Sequence, residues 1–120
     1  MTLCLIAGAK TTILAAAAFT LSWTHSVEKT GWEEDWRLTP SGLVAVEARI
    51  QGSGAGMEPP SDAVLRDGWW HYRPALPPLP HLLLARSGTA GSWRLCAGGE
   101  CLSLDGSGTD LGAVEIRACD

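Results

Sequence analysis

The densest run of groups able to do chemistry is His25-Ser26-Val27-Glu28-Lys29-Thr30-Gly31-Trp32-Glu33-Glu34-Asp35-Trp36. An imidazole held by a carboxylate can act as a base, bind an anion when charged, or ligate a metal. Read as the tip of a hairpin, the run allows a register that pairs His25 with Glu34. Trp23 then meets Trp36 and Leu21 meets Leu38, so the apolar residues match across the strands. A slip of two residues would pair His25 with Trp32 and Trp23 with Glu34 instead. Neighbouring strand side chains point to opposite faces, which separates Ser26 from His25 and argues against a serine nucleophile. No catalytic residue is therefore assigned. The competing readings are a small hydrolase or metal enzyme centred on His25 and Glu34, and a purely structural pair that satisfies two half-buried polar groups.

The second loaded stretch is Gly52-Ser53-Gly54-Ala55-Gly56. Glycines at alternate positions permit positive φ and let a ligand approach backbone amides, as in an anion nest. The stretch lacks the Gly-Lys-Ser/Thr ending of a Walker loop and does not open a helix as a dinucleotide fingerprint does. A plain crossover between sheets would also use it. The expected ligand-binding set is His25, Ser26, Glu28, Lys29 and Glu34 with Gly52, Ser53, Gly54, Ala55 and Gly56. Three scattered histidines (His25, His71, His81) support no metal site, and no cofactor is expected.

Positioning these residues falls to strands. Residues 19–26 alternate, with Phe19, Leu21 and Trp23 on one face and Thr20, Ser22 and Thr24 on the other. Residues 32–38 place Trp32, Glu34, Trp36 and Leu38 together, opposite Glu33, Asp35 and Arg37. Residues 43–50 put Val44, Val46, Ala48 and Ile50 inward. Trp69-Trp70-His71-Tyr72-Arg73 is an aromatic strand after an Asp67-Gly68 turn, and its adjacent tryptophans must face opposite ways. Residues 74–80 form an extended proline-rich connector. Residues 81–86, 92–96, 100–104 and 113–118 read as closing strands. The fold class is all-β, a small antiparallel β-sandwich or partly open barrel, in one domain over residues 1–120.

The apolar run at residues 13–19 is far short of the about 20 residues that span a bilayer. Residues 3–7 and 11–22 read as strands rather than as a secretory leader. The formal charge is −4, with 9 basic and 13 acidic residues and no basic patch, which argues against nucleic acid as a partner. Four cysteines suit two disulfides: Cys96 with Cys101 across a tight turn, and Cys4 with Cys119 stapling the chain ends. Such bonds require an oxidising compartment. Zinc fits less well because no C-x-x-C pair is present.

Three stretches together, residues 19–30, Trp32-Glu33-Glu34-Asp35-Trp36 and Gly52-Ser53-Gly54-Ala55-Gly56-Met57, resemble the bacterial family called domain of unknown function 1850. The resemblance extends from about residue 3 to the end of the chain. It implies an accessory role beside tripartite ATP-independent periplasmic (TRAP) transporters of the branch with TAXI-type solute receptors. The implied partners are a TRAP permease or a TAXI receptor, with a small anionic solute as ligand. The implied location is periplasmic or membrane-associated.

Overall fold

The computed structural model describes residues 1–24, 31–51, 61–84, 93–104 and 113–119. The strands are β1 (Leu3–Ala7), β2 (Lys10–Leu14), β3 (Ala18–Thr24), β4 (Gly31–Thr39), β5 (Gly42–Gln51) and β6 (Val64–Arg66). They continue as β7 (Trp69–Tyr72), β8 (Leu82–Leu84), β9 (Trp93–Ala97), β10 (Glu100–Ser103) and β11 (Val114–Ala118). Alternating apolar and polar residues leave each long strand one face to bury, and two packed sheets bury both faces. The larger sheet has the order β10-β9-β3-β4-β5-β7-β6, and the smaller one β2-β1-β11-β8. All pairs are antiparallel, and the sheets form a sandwich rather than a closed barrel.

Leu3, Leu5, Val114 and Ile116 of the smaller sheet close on Phe19, Leu21, Trp36, Leu38, Leu43 and Leu95 of the larger one. Leu21 and Leu95 are 1% and 0% exposed, so each contributes about 1.5–3 kcal/mol of apolar burial. The next row across the larger sheet is aromatic: Trp93, Trp23, Trp32, Ile50 and Trp70 stand in register on β9, β3, β4, β5 and β7. Trp23 stacks on Trp93 at 5.8 Å between ring centroids and meets Trp32 at 6.1 Å.

Two hairpins are made by paired left-handed residues. Asp67 and Gly68 have φ of 52° and 83°, and Gly98 and Gly99 have 59° and 85°. That pattern matches the strand twist and joins β6 to β7 and β9 to β10 in two residues. Disulfides join Cys96 to Cys101 directly across the second hairpin and Cys4 to Cys119 across the chain ends.

Three details differ from the expected pattern. The strand anticipated over residues 11–22 is broken: β2 ends at Leu14, and Ala17 turns its carbonyl to the Leu38 amide at 2.9 Å. This break lets β2 stay in one sheet while β3 enters the other. In β5 the inward residues are Leu43, Ala45, Ala48 and Ile50, not Val44 and Val46. A bulge between Asp35 and Trp36 places Asp35 opposite Glu47 and Trp36 opposite Ala45, so the alternation reverses at that point. Finally, β6 is an edge strand that no alternation announces, because Val64, Leu65 and Arg66 are all exposed.

Candidate functional site

The outward face of the larger sheet carries the polar half of every alternating strand. Thr20, Glu33, Asp35, Glu47, Arg49 and His71 converge there. Arg49 Nε donates to Glu33 Oε1 at 3.0 Å. Its two Nη atoms donate to Asp35 at 2.8 and 3.0 Å, and Nη1 also reaches Glu47 Oε1 at 3.2 Å. Thr20 Oγ1 donates to Asp35 Oδ1 at 2.8 Å. His71 Nδ1 lies 2.6 Å from the same Glu47 oxygen, and since a carboxylate only accepts, the ring nitrogen is the donor.

These contacts set the electrostatics. The Arg49 bond holds the Asp35 carboxyl below its ordinary range, against the opposing effect of burial, and Thr20 adds to the lowering. The His71 bond does the same for Glu47, with Arg49 contributing. Arg49 is made more basic than usual, first by Asp35. The guanidinium is thereby neutralised by three carboxylates and is not open to an incoming anion.

Beside this network an open groove of about 590 Å³ crosses β9, β3 and β4. Its outward side chains are Ser22 and Thr24 of β3, Glu33 of β4, Gln51 of β5, Trp69 of β7, Arg94 of β9 and Ser103 of β10. The Trp69 ring reaches over β5 to β4: a Cβ placed on Gly31 would lie 2.6 Å from its Cη2. Glycine at position 31 therefore leaves room for the indole that walls the groove. Gln51 Oε1 accepts from the Gly31 amide at 3.1 Å and fixes the same corner. Arg94 is exposed and makes no ion pair among the described residues. A second depression of about 450 Å³ lies further along the same face. Two of its polar groups, Thr20 and Asp35, are already bonded to each other.

The expected His25–Glu34 pair is corrected by the strand register. Glu34 stands opposite Leu21, and Trp23 opposite Trp32. This places Glu34 on the inward face, where it accepts from Trp36 Nε1 at 3.2 Å. The observed register matches Trp with Trp and Phe19 with Trp36, a larger aromatic gain than the expected one. Burial first, then the nearby Glu34 charge, raises the Tyr72 phenol above its ordinary range.

His25, Ser26, Glu28 and Lys29, with Gly52, Ser53, Gly54, Ala55 and Gly56, lie outside the described residues. Their chain neighbours are informative nonetheless. Residues 25–30 connect Thr24 to Gly31, and residue 52 follows Gln51; all three of these flanking residues line the groove. Sequence reasoning expected one of the adjacent Trp69 and Trp70 to face outward as a contact surface, and that one is Trp69; the residues it missed are Arg94 and the Arg49 network. Alternation sorts faces only within a strand, and nothing in the sequence announces that β9 pairs with β3 and so puts Arg94 and Ser22 on the face that Trp69 shares. Among the described residues no group of three or more His, Cys, Asp or Glu is placed to hold a metal ion.

No curated protein and no solved structure matches the chain. One family model does match, described as Domain of unknown function (DUF1850), over residues 19–104. That span is narrower than the resemblance read from the sequence: it begins at β3 and ends just after β10, leaving out β1, β2 and β11. It contains every groove residue named above and well over half of the chain, and the protein belongs to the DUF1850 family.

Proposed function

We propose that the protein is a non-catalytic binding module that serves a TRAP transporter with a TAXI-type receptor, and that it recognises a small organic anion. The observation that carries this reading is the groove: an exposed guanidinium with no acidic partner among the described residues, Arg94, stands with hydroxyls of Ser22 and Thr24 and the indole of Trp69. A guanidinium fork suits a carboxylate, hydroxyls satisfy its remaining lone pairs, and an indole covers an apolar body. Two disulfides fit an oxidising compartment such as the periplasm.

The reading is tested by thermal shift against a panel of organic carboxylates, followed by calorimetric titration of the hits. A ligand at 100 times its Kd adds about 2.7 kcal/mol of stability. The expected result is a shift that Arg94→Gln removes without lowering the melting temperature of the unliganded protein. Absence of a shift with every anion would overturn the solute reading. The transporter association is tested separately, by co-purification with a TAXI receptor and its permease.

A further inference from the structure

We infer that the groove selects organic monoanions carrying a hydrogen-bond donor at the far end, and rejects dianions; this rests on the reading of the groove as a solute site. Arg94 is the one cation among its described lining residues. The next guanidinium on the same face, Arg49, already serves Glu33, Asp35 and Glu47. Glu33, a member of that trio, also lines the groove.

The register fixes the arrangement. Arg94 pairs with Ser22, and Ser22 with Glu33, so the three stand in one row on β9, β3 and β4. Two strand spacings separate Arg94 from Glu33, about 10 Å between backbones. The groove thus has a positive end and a negative end, with hydroxyls between them. Trp69, reaching to Gly31 on the adjoining row, supplies an apolar flank. A ligand along this row sets its carboxylate on Arg94 and its body against the indole. Its other end meets Glu33. A second carboxylate there faces a like charge, and among the described residues the cation bonded to Glu33, Arg49, is already shared among three acids. A hydroxyl or ammonium at the same place donates to Glu33 instead.

A matched series of probes tests this by calorimetric titration of the full chain: para-hydroxyphenylacetate, para-carboxyphenylacetate and para-hydroxyphenylacetamide. The first and second differ only at the far end, and the third lacks the charge for Arg94. The monoanion is expected to bind at least about tenfold more tightly than the dianion, a gap worth roughly 1.4 kcal/mol. The amide should bind weakly or not at all. Glu33→Gln should narrow the gap, both by removing the negative end and by releasing part of Arg49. Circular dichroism of each variant confirms that it is folded. Equal or tighter binding of the dianion, lost in Arg94→Gln, would overturn the selectivity and leave the solute site standing. Binding of neither anion, or binding indifferent to Arg94→Gln, would remove the site itself.

Discussion

Arg49 of β5 grips Asp35 of β4 with both Nη atoms, at 2.8 and 3.0 Å, on the diagonal of the strand pair. Glu33 and Glu47 take its remaining donors, so one side chain ties together the polar face next to the groove.

The first prediction concerns pH. Asp35 and Glu47 have folded pKa values lowered from ordinary values of 3.8 and 4.5. A lowered carboxylate contributes stability that is present above its unfolded pKa and is lost as pH falls through the folded one. The native protein should therefore lose stability below about pH 4.5. Arg49→Gln leaves three carboxylates without their shared cation, so its stability relative to the native protein should rise on mild acidification from pH 7. At pH 7 the variant should be less stable by about 1–2 kcal/mol, kept modest by partial solvent screening. Urea denaturation at several pH values measures both slopes. Parallel slopes would show that the cluster is electrostatically idle.

Two glycines should respond differently to alanine. At Gly42 the backbone has φ of 124°, and an added Cβ would meet the Leu79 carbonyl oxygen at 2.6 Å. That carbonyl accepts from the Leu43 amide at 2.7 Å, so it cannot withdraw without breaking the bridge. Gly42→Ala should cost about 2–4 kcal/mol. At Gly31 the obstacle is the tip of the Trp69 side chain, which can rotate away. Gly31→Ala should cost under about 1 kcal/mol in stability. It should nonetheless abolish ligand-induced changes in tryptophan emission, because the groove loses its wall. A severe loss of stability at Gly31 would mean that Trp69 is locked in place.

The two disulfides should contribute unequally. Cys4–Cys119 closes a loop with a sequence separation of 115, and Cys96–Cys101 one of 5. In the chain-entropy picture these correspond to about 4–5 and about 2 kcal/mol. Paired Cys→Ser variants compared by urea denaturation should show the terminal staple to be the larger loss. The reverse order would point to native-state contacts rather than unfolded-state entropy as the dominant effect.

Glu34 supplies a prediction on the inward face. Burial is the main reason the Tyr72 phenol is raised, and the Glu34 charge adds to it. Glu34→Gln should lower the phenol titration midpoint while keeping an acceptor for Trp36 Nε1. A phenol raised on folding favours the folded state up to its unfolded pKa and loses that contribution as pH rises further. The variant should accordingly resist alkaline unfolding slightly better than the native chain. An unchanged ultraviolet titration midpoint would show that the carboxylate is too well solvated to act on Tyr72.

The sequence alone determined that the chain is all-β, which cysteines pair, and which face of β3 and β4 is apolar. Most of these are local properties: alternation with period two, turn residues between short runs, and a cysteine on each side of a two-glycine turn; the Cys4–Cys119 pair, 115 residues apart, is instead what remains once Cys96 and Cys101 are paired. Pairing decided the rest. A register shift of four residues takes Glu34 from a histidine partner to Leu21, because antiparallel matching is won by the sum of cross-strand contacts and not by one polar pair. One bulge at Asp35 and Trp36 reverses which β5 residues are buried. Arg94 and Trp69 are 25 residues apart in sequence and have three strands between them in the sheet, and only the strand order β9-β3-β4-β5-β7 puts them at one groove.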